Sequence, residues 1–466
     1  MGFLEDVQLV AGELERYRKE SMSGAPPVVR QLPMAEVIET LGLKGCIESG
    51  ALTGDAFAEF IRRYLELTVR LHHPGSLAHQ VAVPHPAAAL AMLVEGVTNN
   101  PMAIYEMGPA AVGIESFLID WLNSKVGWAG RPGGVFTHGG SLANLTALVA
   151  ARSRFDSAAW ASGCRGDLAL IASADCHYSV ARAAGIMGIG ADGVYPLAVD
   201  SAGGVIPAEI GAAIERARGD GKRPFALVTN ACSTATGSFD PLREIAGICR
   251  DHDLWLHVDG AHGASALLSQ RQRWRLDGVE LADSLTWDAH KLLCTPGLCT
   301  AVLVRDVSAL DTAFHQDASY LFHSKQQPGV DFIHRTVECT KAALGLRMFA
   351  VLAALGEHGV ADYIDRQFEL TRESYELMCH IPGLECPVEP QSNILCFRVT
   401  GGDEEQLRVR DRLLAEGNFH LSTAVVGGLR YLRVVMTNPA TTLDDIRRLA
   451  ARVLEVATYW ESSKQR

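Results

Sequence analysis

The residue with the clearest chemical potential is Lys291, which closes the segment DSLTWDAHK at residues 283–291. A lysine crowded by aromatic and apolar neighbours loses solvation, and this favours the neutral amine that attacks an aldehyde. Most lysines are instead solvated surface charges. A catalytic role for Lys291 therefore depends on complementary groups elsewhere in the chain.

A candidate anion site lies in THGGSLAN, residues 137–144, which runs into the apolar stretch LTALVAAR. A glycine turn that feeds a helix presents free N–H groups and the positive end of the helix dipole to an anion. Gly140 and Ser141 would supply these backbone donors together with a hydroxyl. The segment predicts a phosphate cradle, and the alternative is a tight turn capped by serine.

Two further side chains follow apolar, strand-like runs. Asp259 ends WLHVD, and His177 comes shortly after LALIAS. Because ligands of open parallel sheets gather at the carboxyl ends of the strands, Asp259 could pair with a protonated ring nitrogen and His177 could lie flat against the ring. The alternatives are a turn carboxylate and a hydrogen-bonded structural histidine.

The elements that must position these groups alternate from Pro132 onward between short apolar runs and amphipathic stretches, a pattern typical of a parallel sheet with crossover helices. Asp240 and Pro241 open one predicted helix as cap and first residue. The predicted strands of this region are Leu168–Ser173, Phe225–Asn230, Leu254–Val258 and Ala301–Val304. Their continuous apolar character indicates a sheet that is covered on both faces.

After about Leu352 the pattern changes to a helix, the strands Asn393–Val399 and Tyr431–Met436, and a last helix. Thr442 with Asp445 predicts a capping box at the start of that helix. We therefore predict a helical N-terminal segment (1–65), a large α/β domain (66–350) and a small α+β domain (351–466).

Charge and composition disfavour several classes of partner and location for this protein. A formal net charge of -12 disfavours nucleic acid and anionic membranes as partners. The apolar stretch at residues 81–97 contains Pro84, Pro86 and Glu95, too many interruptions for a membrane span. The first residues lack the basic character of a secretory signal. Eleven cysteines without CxxC spacing predict reduced thiols in a cytoplasmic protein, and no metal site is expected.

Taken in order, Gly-Gly-Ser, His177, His-Val-Asp-x-Ala and Asp-Ser-x-Thr-Trp-x-x-His-Lys resemble the fold-type I, group II pyridoxal-5′-phosphate (PLP) decarboxylases. This family includes glutamate, cysteine-sulfinate and aromatic amino-acid decarboxylases. MAIYEMGP, residues 102–109, looks closer to the glutamate and cysteine-sulfinate branch. The resemblance implies a large domain with a mainly parallel sheet, a small C-terminal α+β domain, PLP as cofactor, an L-amino acid substrate and a homodimer with shared active sites.

The resemblance also implies roles around the phosphate. Lys291 would hold PLP as a Schiff base, and His290 would contact the phosphate beside Gly140 and Ser141. Decarboxylation to an amine and CO2 is the activity implied.

Around the ring and the substrate, the resemblance implies that Asp259 keeps the pyridine nitrogen protonated while Ala261 packs beneath the ring. His177 would stack on the opposite face, and Thr234 would line the site. Arg433, within LRVVMTNP, matches the arginine that holds the substrate α-carboxylate. That arginine would set the bond to be broken perpendicular to the ring.

Two features depart from the family pattern. No tyrosine occurs between Tyr320 and Tyr363, and Phe332 or a near neighbour occupies the expected place of the loop tyrosine that returns a proton (predicted loop 324–335). Either His334 or water supplies the proton, or the reaction becomes a decarboxylation-coupled oxidative deamination to an aldehyde. Asp288 stands where relatives place asparagine, so its carboxylate must face away from the phosphate or be neutralised.

Two competing interpretations remain. Aminotransferases, lyases and aldolases of fold-type I share the lysine, the aspartate and the cradle, although the adjacent His290 and Lys291 favour a decarboxylase. A degenerate, non-enzymatic relative is the other. Retention of the whole set argues against it, because a scaffold has no physical need for these side chains.

Overall fold

The computed structural model describes residues 2–164, 166–314 and 329–464, with side chains up to residue 458. The chain divides into two compact units. The larger unit contains residues 80–369 and 390–393. The smaller unit contains residues 1–79, 370–389 and 394–466.

Strands form one sheet in each unit. The strands are β1 Gly133–Thr137, β2 Leu168–Ser173, β3 Val194–Leu197, β4 Arg223–Asn230, β5 Trp255–Asp259, β6 Ser284–Asp288, β7 Thr300–Val304, β8 Leu384–Glu385, β9 Ile394–Val399, β10 Ser422–Val426 and β11 Leu429–Val435. The larger sheet has seven strands in the order β1-β7-β6-β5-β4-β2-β3, and the smaller sheet has the order β10-β11-β9-β8. Both match the predicted fold class.

The helices of the described residues surround these sheets. They are α1 Phe3–Met22, α2 Met34–Leu41, α3 Leu43–Ser49, α4 Gly54–Glu66, α5 Pro86–Thr98, α6 Pro109–Val126, α7 Gly140–Phe155, α8 Ala159–Ser162, α9 Ser179–Ile186, α10 Ile210–Gly219, α11 Leu242–Asp251, α12 Ser308–Ala313, α13 Leu344–Cys379, α14 Asp403–Glu416 and α15 Leu443–Lys464. Helix α13 is broken at Gly356, whose φ of 68° is not helical.

The larger sheet is parallel from β3 to β6, and only β7 runs against its neighbours. The connection from β6 to β7 contains no crossover helix, and a parallel return needs about a dozen or more residues with one. The strands predicted around β2, β4, β5 and β7 are therefore present, with β2 at the predicted bounds. The sequence reading missed β1, β3 and β6.

Helix α7 lies against the sheet, and its residues from Ala143 to Ser153 are buried apart from Leu145. Its apolar character on all sides fits a helix inside the core rather than on the surface. This burial holds the N-terminus of α7 next to the carboxyl ends of the strands.

Asp240 does not cap a helix as predicted. Helix α11 begins at Leu242, while the Asp240 carboxylate accepts hydrogen bonds from the backbone N–H groups of Asn230 (2.6 Å) and Val205 (2.8 Å). Burial raises the pKa of Asp240 to about 7. The Asp240 carboxyl group therefore joins the end of β4 to the segment after β3 instead of beginning a helix.

The smaller unit combines the N-terminal helices with the C-terminal sheet. Leu77 donates its N–H to His420 O (2.8 Å) and accepts a bond from Val435 N (2.8 Å). The capping box is confirmed, since Thr442 N donates to Asp445 and Asp445 N donates to Thr442 Oγ1. These boundaries differ from the predicted division, because the first 79 residues pack with the C-terminal sheet rather than as a separate segment.

Helix α13 is long and apolar enough, by length and composition, to cross a membrane. Its residues Leu344, Met348, Val360 and Ile364 are nevertheless buried in the core of the larger unit. A core helix meets the same criterion, so this feature is weak support for a membrane span.

Candidate active site

The carboxyl ends of β2, β4, β5 and β6 and the N-terminus of α7 enclose a cavity of about 250 Å³ in the larger unit. Its lining residues are Gln80, His138, Gly139, Gly140, Ser141, Asn144, His177, Asn230, Cys232, Thr234, Asp259, Ala261, His262, Asp288, His290, Lys291 and Leu298. All eight predicted cofactor-binding residues are among them. Four motifs that lie far apart in the chain thus meet at one edge of the sheet.

Asp259 ends β5 at the floor of this cavity and is 7% exposed. Its Oδ2 accepts a hydrogen bond from Asn144 Nδ2 (2.8 Å), and its Oδ1 accepts one from Ala261 N (3.2 Å). Hydrogen bonds from two donors stabilise an ionised carboxylate. Asp259 is therefore held as an anion in a buried position.

His177 is tied to Asp259 through Asn144 and Ser179. An ionised carboxylate only accepts, so Asn144 Nδ2 is the donor to Asp259, and it also donates to Ser179 Oγ (2.9 Å). The Ser179 hydroxyl hydrogen is then directed to His177 Nδ1, at 2.8 Å. Burial lowers the pKa of His177, so the neutral ring carries its hydrogen on Nε2.

The side-chain oxygen of Asn144 also accepts hydrogen bonds. Asn144 Oδ1 lies 3.1 Å from His257 Nε2 and 2.8 Å from Thr286 Oγ1. Since this oxygen is an acceptor, His257 carries its hydrogen on Nε2, and its Nδ1 accepts from Ser284 Oγ (2.8 Å). Burial lowers the pKa of His257 to about 4. A neutral buried histidine thus fixes the orientation of the amide that holds Asp259.

The predicted phosphate cradle is the start of α7. Gly139 precedes the helix with a φ of 100°, a conformation that favours glycine, and no side chain among the described residues caps the helix. The first N–H groups of α7 are therefore available to an anion. A Cβ added to Gly140 would lie 3.2 and 3.3 Å from the two carboxylate oxygens of Asp288, so a larger residue would require Asp288 to shift by a few tenths of an ångström.

Lys291 lies directly beyond β6, and its side chain is 19% exposed. Its Nζ is 3.2 Å from Asp288 Oδ2, which also lies 3.5 Å from His290 Nε2. Asp288 Oδ1 accepts a hydrogen bond from Thr300 Oγ1 (2.6 Å). His290 is anchored through Nδ1, 3.0 Å from Cys299 O. The amine is therefore held at the cavity by a buried carboxylate.

Two lining amides have unused donors. Asn230 Nδ2 and Gln80 Nε2 are buried and have no hydrogen-bond partner among the described residues. Asn230 ends β4 and pairs in register with Asp259 on β5. A ligand with polar substituents would satisfy both donors. With an anion cradle, an amine and an anionic carboxylate in the same cavity, the residues fit a phosphorylated, protonated heteroaromatic aldehyde.

Arg433 belongs to the smaller unit and does not line the cavity. It lies on β11, is 6% exposed, and donates through Nη1 to Ala78 O and Ser422 Oγ, both at 3.3 Å. The role predicted for Arg433 at the substrate carboxylate stays a prediction.

The position of Phe332 differs from the expectation that this residue stands at the place of the loop tyrosine. Its side chain is 1% exposed, and Lys341 Nζ lies 4.8 Å from the centre of its ring. A ring packed into the core does not occupy the place of a proton-donating loop residue. Residues 324–328 of the predicted loop lie outside the described residues.

Sequence reasoning missed the parts played by Asn144 and Asn230. Asn144 lies within the quoted motif THGGSLAN, three residues after Ser141, so it occupies the same face of α7. Asn230 ends a predicted strand, as Asp259 does. Polar residues at the ends of apolar strands were the available signal for Asn230.

Comparisons with known proteins identify the family of the chain. Residues 55–400 match the model of the pyridoxal-dependent decarboxylase conserved domain. The chain is 32% identical over 409 residues to human cysteine sulfinic acid decarboxylase, covering 83% of each chain. It is 29% identical over 421 residues to L-2,4-diaminobutyrate decarboxylase of Acinetobacter baumannii, covering 85% of this chain and 82% of the relative.

The fold agrees as well. The crystal structure of mouse CSAD superimposes with a TM-score of 0.89 at 28% identity, covering 97% of this chain and 98% of that one. The stretch matched by the family model, residues 55–400, includes the residues that line the cavity. The protein with Lys291 at this cavity therefore belongs to the pyridoxal-dependent decarboxylase family, as a PLP-dependent amino-acid carboxy-lyase of fold-type I.

Proposed function

We propose that the protein decarboxylates a small L-amino acid to an amine and CO2, with PLP held covalently by Lys291. The observation that carries the proposal is the shared cavity of Lys291, the anionic Asp259 and the cradle at Gly140 and Ser141. No single one of these residues would support it. Together they supply the covalent, electronic and phosphate contacts that PLP needs.

PLP supplies an electron sink for the pair of electrons released at the substrate α-carbon. Asp259, held by Asn144 and Ala261 N, would keep a proton on the ring nitrogen. Ala261 and His177 would pack on the two ring faces, while His290 would contact the phosphate and Thr234 would line the site. The buried network behind Asp259 prevents the carboxylate from turning away.

Arg433 would bind the substrate α-carboxylate. Support comes from its buried guanidinium and from the match of its segment to the family pattern. Fixing that carboxylate sets the direction of the breaking bond and selects decarboxylation over transamination.

The proton returned to the α-carbon would come from His177, His334 or water. His177 lines the cavity, and because Ser179 occupies Nδ1, the hydrogen of the neutral ring is on Nε2. The absence of tyrosine between Tyr320 and Tyr363 favours a second candidate, decarboxylation-coupled oxidative deamination to an aldehyde, ammonia and peroxide. Oxygen electrode traces with peroxide detection separate the two, since the amine-forming reaction consumes no oxygen.

We also propose a homodimer with shared active sites. Helix α5 exposes an apolar stripe at i, i+3, i+4 and i+7, formed by Leu90, Leu93, Val94 and Val97, which are 44–65% exposed. Such a stripe marks an interaction surface. A second copy of the chain is the partner that the family resemblance implies. A cytoplasmic location is part of the proposal, since none of the eleven cysteines forms a disulfide in the described structure.

The decisive experiment joins spectroscopy with a substrate screen. Borohydride reduction of the PLP-loaded protein should fix the coenzyme on the peptide that contains Lys291. Lys291→Ala should lose this label and the associated absorbance band, whereas Lys44→Ala, at an exposed lysine, should keep both. A label on any other lysine would refute the proposal.

The screen should monitor CO2, amine, keto acid and oxygen for the common L-amino acids with cysteine sulfinate and 2,4-diaminobutyrate. CO2 with a stoichiometric amine supports decarboxylation. Keto acid without CO2 would instead indicate an aminotransferase.

A further inference from the structure

Asn230 carries a buried hydrogen-bond donor that no described residue uses. The side chain is 3% exposed and lines the cavity, and its Nδ2 has no partner in the described part of the chain. The backbone of the same residue is fully paired, since Asn230 N donates to Asp240 Oδ2 (2.6 Å) and Asn230 O accepts from Asp240 N (3.1 Å). A buried N–H without an acceptor is costly. The residue is therefore fixed in place with a donor that a ligand can satisfy.

The strand register directs this side chain into the space above Asp259. Asn230 on β4 and Asp259 on β5 are paired Cα positions of neighbouring parallel strands. Residues paired in this way project from the same face of a sheet. Asp259 projects toward α7, where Asn144 Nδ2 donates to it at 2.8 Å. Asn230 consequently projects toward the same side of the sheet, beside Asp259.

The strand order determines which edge of a bound pyridine ring Asn230 would face. Strand β4 adjoins one edge of β5, and β6 adjoins the other. The cradle lies toward β6, because a Cβ on Gly140 would lie 3.2 Å from Asp288 Oδ2. In PLP the phosphate arm and the phenolic oxygen are attached on opposite sides of the line from the ring nitrogen to the aldehyde carbon. A ring with its nitrogen at Asp259 and its phosphate at the cradle turns its phenolic oxygen toward β4.

Two substituents of the ring lie on the β4 side, a methyl group and the phenolic oxygen. The methyl group accepts no hydrogen bond, whereas the oxygen is an acceptor and is a strong one when ionised. We propose that Asn230 Nδ2 donates a hydrogen bond to the phenolic oxygen of PLP. Asn230 is then a further cofactor-binding residue, which holds the ring from the side opposite the phosphate. This inference rests on the proposed binding of PLP in this cavity.

The test uses the full chain and two ligands that cannot form a Schiff base with lysine. They are pyridoxine 5′-phosphate and its 3-deoxy analogue, which lacks the phenolic oxygen. Calorimetric titration should show that Asn230→Ala weakens binding of pyridoxine 5′-phosphate by about tenfold, the effect of one lost hydrogen bond to a charged group. The same substitution should not weaken binding of the deoxy analogue. Asn100→Ala, at an exposed asparagine, should retain the wild-type affinity for both ligands.

The two ligands separate failure of this contact from failure of the PLP site. An equal loss of affinity for both ligands in Asn230→Ala, or no loss for either, would overturn the contact while leaving the PLP site in place. If the wild-type chain bound neither ligand, the PLP site itself would be refuted, and this proposal with it. Because each comparison is made within one variant, a general effect of the substitution on folding cannot imitate the selective loss.

A crystal structure of the PLP-loaded chain provides an independent readout. The side-chain amide of Asn230 should lie about 3 Å from the phenolic oxygen, within hydrogen-bond distance. A phenolic oxygen that faces away from β4, or that is bound only by other side chains or water, would overturn the proposal.

Discussion

Asn144 Nδ2 lies 2.8 Å from Oδ2 of Asp259, and the same amide nitrogen lies 2.9 Å from Ser179 Oγ. One side chain on α7 therefore connects the carboxylate at the end of β5 with the histidine beyond β2. Because Asp259 can only accept, every hydrogen in this chain of contacts has a defined direction. The aspartate and His177 are thus positioned as a pair rather than independently.

Replacement of Asn144 should weaken the hold on PLP. A hydrogen bond to a charged, buried group contributes about 1.5–3 kcal/mol, so Asn144→Ala should reduce PLP affinity roughly 10- to 100-fold. Asn144→Asp should be worse, since it places a second carboxylate against Asp259. Equilibrium titration of PLP absorbance provides the measurement. Asn100→Ala, at an exposed asparagine, serves as control, and an unchanged affinity in Asn144→Ala would contradict the network.

His257 should make stability depend on pH. Burial lowers its pKa from 6.5 to about 4 in the folded protein, so the unfolded chain binds more protons between these values. The free energy of unfolding should consequently fall as pH decreases from about 7 to 4, by an amount on the order of 3 kcal/mol from this residue. Denaturant titrations across this range should show a flatter dependence in His257→Gln than in the wild type.

The exposed His358 provides the matched control for this comparison, and His358→Gln should keep the wild-type slope. Parallel curves for His257→Gln and the wild type would show that His257 titrates in the folded protein much as it does in the unfolded chain.

The buried pair of Glu115 and Lys341 should be sensitive to loss of one partner. Burial raises the pKa of Glu115 and lowers that of Lys341. Glu115 accepts a hydrogen bond from Phe136 N, and Lys341 donates one to Phe136 O. Lys341→Met leaves a buried carboxyl without its cation, at a cost of about 3–5 kcal/mol in the free energy of unfolding. Adding Glu115→Gln to this variant should recover most of the loss. Arg218→Ala, at an exposed pair, should cost less than about 1 kcal/mol.

The apolar stripe on α5 should govern assembly. Leu90→Lys with Val94→Lys introduces two charges on the exposed face while leaving the buried Ala88 and Ala91 untouched. Sedimentation or light scattering should show a wild-type dimer and a monomeric variant with unchanged helical content. Ile186→Lys, at an exposed apolar residue outside the stripe, is the control. If the double variant remained dimeric, the dimer interface would have to lie at another surface of the protein.

The sequence alone determined four of the seven strands of the larger sheet and the chemical groups that line the cavity. The strand at residues 168–173 was predicted at its observed bounds, since continuous apolar runs and the turns that end them are local properties. Lys291, Asp259, His177 and the glycine turn could be recognised because each follows or precedes such an element. These residues then share one cavity because the carboxyl ends of parallel strands share one edge.

Only the tertiary structure decided which groups touch. The bonds from Asn144 to Asp259 and from Lys341 to Glu115 join residues more than a hundred positions apart, and local pattern carries no information on such pairs. The orientation of Asp288 toward Gly140 was likewise open in the sequence. This orientation is set by the close approach of α7 to the end of β6. The two elements are distant in the chain, so local sequence patterns do not predict how they pack.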